Sequence, residues 1–589
     1  MKAHSYILIG IVLLLSFTVS AQENYERLWG TYFGNEGLYF KEGAVDKDGN
    51  LYLVGHVRDV AQPFYSFTDP TSHQPEYGGG MSDGCIAKFN SDGNLLWGTY
   101  YGGAEMDRIE DIAISENDEL YIIGSTISEN NIATPGAYQP QLNGDKDILL
   151  AKFTLDGQLL WGTYFGGTAS EDGLGLEIDY EKNTGIAVHP NGSIFIINGT
   201  QSEGLATAST FQPQIEGSKW LISKFSPEGD RIWSTYYGIN WGKITGIALL
   251  GNEIIVAGSH QDCPPLFEYN TYYGTSNGYQ SQPNDCRGAF ISKFSFDGQR
   301  LWGSYFGAVS VLMWGKSLET FGENIYLGGL SSYNEYIATP GVYQETTETT
   351  TNFLEKFNGA GERLWGTFCG DNFSPPPTLN LSWGKASTDV EGNIYISGKT
   401  IHDLNIASPG SYQEEIAGSS DAFVVKFNPE GERLWGTYYG GEKDEHNSVG
   451  IPYGNGFYVV GKTRSLTNIA TPNSYQPEYI SNDIDISFVP GNIYIARFGP
   501  ETASTREFDN SSFTLYPNPN DGTFTITLNG NLPAETSINV YNIMGQLLFE
   551  ENIHSQKATT TLENLHSGIY FVKIKSGNSV LKTEKMIVN

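Results

Sequence analysis

Leu28-Trp29-Gly30-Thr31-Tyr32-Phe33-Gly34 is the phrase whose reading decides the fold. It returns with small changes from Leu96, Leu160, Ile232, Leu301, Leu364 and Leu434, which puts its tryptophan at Trp29, Trp97, Trp161, Trp233, Trp302, Trp365 and Trp435. A second phrase of the type Ala-Lys-Phe ends at Phe89, Phe153, Phe225, Phe294, Phe357, Phe427 and Phe498. In most repeats a Gly-containing turn such as Ser91-Asp92-Gly93-Asn94 or Pro429-Glu430-Gly431-Glu432 separates the two phrases. Asp-Gly between apolar runs is a strong hairpin signal, so the two phrases read as paired strands.

Two further strands fill each period. One is built of small residues, as in Gly43-Ala44-Val45 and Ile112-Ala113-Ile114; the other is β-branched and aromatic and ends in glycine, as in residues 51–55 and 394–398. Four antiparallel strands per period of about 68 residues make one blade of a propeller, although familiar propeller repeats run to roughly 40 to 50. Blades crowd at the axis and splay outward, so the small-residue strand belongs innermost and the tryptophan strand outermost. The chain opens with a tryptophan strand lacking its partner and ends its repeats at Ile495-Ala496-Arg497-Phe498 lacking a tryptophan strand. Each end supplies what the other lacks, so the reading is an all-β, seven-bladed propeller over residues 22–499, closed by the strand around Trp29. Closure removes exposed sheet edges.

The repeat elements Tyr-Phe-Gly-Gly, Ala133-Thr134-Pro135-Gly136-Ala137-Tyr138-Gln139 and Ala-Lys-Phe with its Asp-Gly turn resemble the SBBP β-propeller repeat of secreted bacterial proteins, over residues 26–498. That resemblance implies an architecture and no shared catalytic residues.

The ends of the chain carry an address. Lys2, an apolar run over residues 6–15 and the small-residue segment Val19-Ser20-Ala21 have the layout of a signal peptide over residues 1–21, with cleavage expected between Ala21 and Gln22. The apolar run is shorter than the roughly 20 residues that span a bilayer, so no transmembrane segment is expected. Residues 500–512 have the polar composition of a linker. Beyond them, strand-like runs at residues 524–528, 538–541 and 568–574 suggest a small immunoglobulin-like β-sandwich over residues 513–589. Its Tyr516-Pro517-Asn518-Pro519, Gly545, Gly568 and Tyr570 resemble the type A sorting domain of type IX secretion. The resemblance implies the type IX machinery as a partner, export through the periplasm of a gram-negative bacterium, and a mature protein that is secreted or held on the outer-membrane surface.

The formal net charge of −33 argues against nucleic acid as a partner, because such binding needs a basic patch to release counterions. Cys263 and Cys286 lie in one loop-like segment and are expected to form a disulfide, whereas Cys85 and Cys369 sit in strand-like runs and read as buried. Asp46-Lys47-Asp48-Gly49-Asn50 looks like the start of a calcium loop, lacks its later glutamate and reads better as a turn, so no metal and no cofactor is expected. No HExxH, GxSxG, P-loop or dinucleotide fingerprint occurs in the repeats.

The strand order places the long connections on one rim, where a site belongs. There Trp241-Gly242-Lys243, Trp314-Gly315-Lys316 and Trp383-Gly384-Lys385 precede inner strands, with Phe40-Lys41 as a looser copy. Aromatic faces stack on sugars and ammonium groups meet sulfates or carboxylates, so these residues suggest a non-enzymatic binding protein for polysaccharide or another surface protein. The competing roles are gap-filling tryptophans with solvated lysines, and a glycan lyase or hydrolase using the rim histidines near His56, His260, His402 and His446. His446 near another base and a basic clamp would favour the enzyme.

Overall fold

The computed structural model describes residues 24–589 apart from 59–66, 172–183, 216–218, 240–241, 262–270, 286, 308–317, 332–335, 348–350, 371–384, 402–405, 482–490, 501–512, 529–535, 544, 563–564 and 577–578. Two compact units form, divided between Pro500 and Glu501.

The described residues of the first unit form seven four-stranded antiparallel sheets and no helix. The first sheet runs Leu38–Val45, Leu51–Arg58, Ser82–Phe89, Leu95–Tyr101 in spatial and chain order. The same order repeats over residues 107–165, 184–236, 243–306, 318–369 and 385–439. The seventh sheet takes Glu445–Tyr453, Gly456–Thr463 and Asn492–Pro500 from the end of the unit and Tyr25–Phe33 from its beginning. Tyr25 lies opposite Pro500 and Phe33 opposite Ile493. Each inner strand packs on the inner strand of the next sheet, and that of the seventh returns to that of the first, giving a propeller-like ring.

The core lies between sheets. Tyr52, Val54 and Ile86 of the first sheet meet Ile109, Ile122 and Leu149 of the second in one buried cluster. Both faces of every sheet are therefore apolar, which the alternation of large side chains along each strand supplies. Cys85 and Cys369 are buried free thiols within these layers.

The repeated tryptophans also join the sheets. The indole N–H of Trp29, Trp97, Trp161, Trp233, Trp302 and Trp365 donates to the turn carbonyl of Ser91, Leu155, Pro227, Phe296, Gly359 and Pro429 in the following sheet, at 2.8 to 3.2 Å. Trp435 is the exception. The seventh sheet has no turn between its third and outer strands, because its outer strand comes from the other end of the unit, so the buried Trp435 indole packs on Tyr25 at 4.8 Å without an N–H acceptor.

Glycine in the second strand is needed where the inner strand crowds it. A methyl group on Gly55 would lie 1.7 Å from the Tyr39 carbonyl oxygen, and one on Gly124 1.8 Å from that of Arg108, where the inner strand shifts register. Gly55→Ala is expected to lower stability by about 1–3 kcal/mol, the usual cost of overpacking, read as a fall in denaturant midpoint at unchanged slope.

In the second unit, a three-stranded sheet (Phe513–Tyr516, Thr523–Leu528, Lys557–Thr561) and a four-stranded sheet (Leu547–Asn552, Thr536–Asn542, Gly568–Ser576, Ser579–Val588) share one core. Phe524 and Ile526 from the first sheet meet Ile538, Val540, Val572 and Met586 from the second.

Candidate functional site

The end of each second strand lies on the rim that carries the long connections. In the second to fifth sheets, cross-strand register places Ser125, Gly199, Ser259 and Leu330 at one equivalent position there. In the sixth, seventh and first sheets that position holds Lys399, Lys462 and His56. Packing explains residues that repeat in every sheet; it does not explain three consecutive basic residues where the other sheets have neutral ones.

These side chains converge. Lys462 sits over the Tyr39 ring at 3.9 Å and Arg58 at 4.9 Å, while Tyr39 stacks on His56 with centroids 5.0 Å apart and planes 2° from parallel. Such cation–aromatic contacts hold a charge near a low-dielectric wall. Lys399 Nζ lies 2.9 Å from His446 Nδ1, and His446 is the cross-strand partner of Lys462. Arg464 faces Asp444 at 3.9 Å. Lys399, Lys462 and Arg108 are all buried.

Burial and crowding set the charge states. His56 is fully buried, neither of its ring nitrogens has a hydrogen-bond partner, and burial followed by Arg108, Lys41, Arg58 and Lys462 holds it well below the usual imidazole range. Burial, then Lys399, Arg464 and Lys462, lowers His446 to about 3. Burial also lowers Lys399 to about 8. At neutral pH both imidazoles are thus neutral inside a wall of cations, and an entering carboxylate or sulfate would offset repulsion among them.

Of the residues singled out in the sequence, Lys385 is ion-paired with Glu42 at 3.1 Å, across from the sixth sheet to the first. Lys243 heads the inner strand of the fourth sheet opposite Ser259. Lys41 lies within the field of His56. Phe40 is a core residue rather than a sugar platform: it is 4% exposed and packs with Phe33, Leu53 and Phe67, because the register shift after it turns its side chain between sheets. Trp241, Trp314, Lys316, Trp383, His402, Cys263, Cys286, Ala21 and Gln22 lie outside the described residues. His260 is buried against Tyr305, away from the cluster's sheets. Asp46 is a turn residue whose Oδ1 accepts from the backbone N–H of Asp48 and Asn50.

Sequence reasoning missed Lys399, Lys462, Tyr39 and Arg108. The signal was the pair Gly398-Lys399-Thr400 and Gly461-Lys462-Thr463, in which a charge stands where Ser125, Gly199, Ser259 and Leu330 are uncharged.

In the second unit the motif residues do structural work. Asn518 donates from Nδ2 to the Lys585 carbonyl and accepts from the Ile587 N–H, which fixes its loop to the last strand. Gly545 has φ +77° in the turn closed by Asn542, Gly568 opens a strand, and the Tyr570 hydroxyl donates to the His566 carbonyl.

Residues 514–589 match the family described as a secretion system C-terminal sorting domain. The chain thus carries the sorting domain of type IX secretion, which implies export to the cell surface or release from it. Among curated proteins, the chain is 22% identical over 319 residues to "Uncharacterized WD repeat-containing protein L264" of Acanthamoeba polyphaga mimivirus, covering 46% of this chain and 23% of that protein. It is 30% identical over 80 residues to "Ulvan lyase NLR42" of Nonlabens ulvanivorans, covering 13% of this chain and 15% of that protein. The chain thus spans less than a quarter of the length of these relatives. Among solved structures, it is similar to polysaccharide lyase Uly1, with 10% identity, a TM-score of 0.38 and 81% and 99% of the two chains covered. PorZ, a surface component of the type IX secretion system of Porphyromonas gingivalis, aligns with 13% identity, a TM-score of 0.20 and 94% and 82% covered. Likenesses at these scores carry no argument about chemistry. No helix among the described residues is long and apolar enough to cross a membrane.

Proposed function

We propose that this chain is an exported seven-bladed propeller of SBBP-type repeats that binds an anionic polysaccharide at the basic cluster of its sixth, seventh, first and second sheets. The observation that carries the reading is the run of Lys399, Lys462 and His56 at one repeat position, gathered with Arg58 and Arg108 on a chain of net charge −33. A strongly acidic protein repels polyanions unless it offers one concentrated site, and such a site also sets specificity. The same reading includes cleavage of residues 1–21, a Cys263–Cys286 disulfide, a linker over 500–512 and an immunoglobulin-like sorting domain over 513–589 that engages the type IX machinery.

The test is retention on immobilised uronate-containing, sulfated and neutral polysaccharides. Binding to the anionic polymers alone, weakening as salt rises, is the expected result, because screening sets in within about 10 Å at 0.1 M ionic strength. Equal retention on a neutral glucan would overturn the reading.

A second reading is favoured by one observation: the neutral His56 imidazole lies flat against the Tyr39 phenol in a cationic field. A base, an acid and cations that neutralise a carboxylate are what β-elimination of a uronate requires. The ulvan-lyase match is about as short as the sorting domain, so this reading rests on His56 and Tyr39. Ultraviolet absorbance from an unsaturated uronate product, lost in His56→Ala, would support it; no product with any uronate polymer would exclude it.

A further inference from the structure

Among the described residues, three of the seven junctions between neighbouring sheets hold two buried carboxyl groups, one from each side. Asp83 meets Asp107, Asp147 meets Glu171 and Asp421 meets Glu445, and all six residues are completely buried. In each pair the first acid opens the third strand of one sheet and the second precedes or opens the inner strand of the next. A methyl group on Gly440 would stand 2.3 Å from Glu445 Oε2 and 2.5 Å from Asp421 Oδ1. One on Gly166 would stand 2.1 Å from Asp147 Oδ1 and 2.6 Å from Glu171 Oε2. One on Gly102 would stand 2.7 Å from Asp107 Oδ2 and 2.9 Å from Asp83 Oδ1. A bare glycine backbone thus lies against each pair.

Among the described residues, the register positions of these acids hold two carboxyl groups or none at the junctions where both positions are described. At the other four junctions the third strand offers Asn492, Lys219, Gly288 or Thr351 at this position, by register with the second strand. At the corresponding position of the next inner strand stand Leu38, opposite Val57, and Gly242, the residue before Lys243, neither of them an acid.

One oxygen of each pair is well satisfied. Asp107 Oδ2 accepts from the Gly103 N–H and Ser128 Oγ, Asp147 Oδ2 from Gln139 Nε2 and the Asn143 N–H, and Glu445 Oε1 from Thr463 Oγ1 and Ser465 Oγ. Asp83 Oδ1, Asp107 Oδ1, Asp147 Oδ1 and Glu171 Oε2 have no donor, while in the third pair the Gly418 and Gly441 N–H groups donate to Asp421 Oδ1 and Glu445 Oε2 at 3.2 Å. Two carboxylates cannot both stay ionised when buried side by side; one proton between them removes a charge and gives such oxygens a donor.

We infer that each pair shares one proton, so that these junctions form a pH-sensitive latch: closed in mildly acidic medium, it loosens the sheets around the basic cluster as the medium turns alkaline. Two of the pairs flank that cluster directly, since Glu445 precedes His446 and Asp107 precedes Arg108.

The surroundings leave the proton where it is. Near Asp83 and Asp107 lie Glu105, the Cys85 thiol and the phenols of Tyr100, Tyr101 and Tyr164. Near Asp147 and Glu171 lie Tyr164 and Tyr236. Near Asp421 and Glu445 lie Tyr32, Tyr439, Tyr494 and the ammonium of Lys399. Burial pushes these phenols and the thiol up, so they stay neutral. Burial is also the first cause that raises the acids: Glu445 to about 8, Glu171 and Asp83 to about 7, and Asp107 to about 6. Folded chains therefore hold protons that unfolded chains release above the ordinary carboxyl range. Stability is fully present below about pH 4 for these groups and is lost as pH climbs through 6 to 8.

The test is thermal melting of the full chain and of the triple variant Asp83→Asn, Asp147→Asn, Asp421→Asn, between about pH 5 and pH 8.5. An asparagine amide can donate permanently to the partner carboxylate, as the shared proton does. The parent is expected to lose several degrees across that range and the variant to lose little. Equal slopes would overturn the latch, and so would rescue of the parent at high pH by millimolar calcium, which would mark the pairs as cation sites. Infrared spectra of the folded parent at neutral pH give an independent reading that survives a misfolded variant. A protonated carboxyl band is expected, and its absence would overturn the proposal.

Discussion

A chain with Lys399 and Lys462 both changed to methionine is expected to bind an anionic polysaccharide at least about a hundredfold more weakly and to melt no lower than the parent. Hydrogen bonds to charged groups contribute about 1.5–3 kcal/mol each, and each 1.4 kcal/mol is a factor of ten in affinity. Lys462 is 1% exposed and Lys399 9%, and methionine of similar length keeps the packing of both aliphatic stems while removing their charge. Titration calorimetry and melting curves of the same two proteins check both halves. A variant that binds like the parent would move the ligand elsewhere; one that binds poorly but melts higher would show that the lysines are kept for recognition rather than for the fold.

Deleting residues 24–34 is expected to abolish the cooperative thermal transition of the repeats. That segment pairs along its length with Asn492–Pro500 and places Tyr25 against Trp435 and Phe457. It also accepts the Thr471 N–H at the Gly30 carbonyl, donates from Arg27 to the Ile469 carbonyl and brings the Tyr25 hydroxyl to 3.0 Å from Lys426 Nζ. Without it the third strand of the seventh sheet becomes an exposed edge and the sixth loses its cover. Near-ultraviolet circular dichroism during heating reports the loss, and a synthetic peptide of the deleted strand should restore it in part. A truncated chain that melts sharply at the parent's temperature would show that closure adds nothing.

The ring was legible because its signal is repetition. Seven tryptophan phrases and seven Ala-Lys-Phe phrases fix strand type, order and the closing strand, all of which follow from pleat and turn chemistry. The tryptophans read as core, and their rings do pack, but their N–H groups also bond to the next sheet's turn, an inter-sheet relation that no single repeat contains. The site was harder to see for the opposite reason, since it consists of departures from the repeat. Trp-Gly-Lys drew attention by recurring, yet its described lysine in the sixth sheet is paired to Glu42, and Phe40 belongs to the core. Lys399, Lys462 and His56 stand out only once strand register shows that they occupy one position. The carboxyl pairs were invisible for a related reason, since their members lie about 24 residues apart in the sequence, in different sheets.

The closing strand also sets a clock. Tyr25–Phe33 leaves the ribosome early, but its partner Asn492–Pro500 follows more than 450 residues later. At about 5–20 residues per second, the first strand waits on the order of half a minute to a minute and a half before anything exists for it to pair with. Throughout that interval the nascent chain cannot complete its last sheet. A polypeptide bound for export thus keeps its ring open by the order of its own sequence, and a chain cut short before residue 492 would stay open for good.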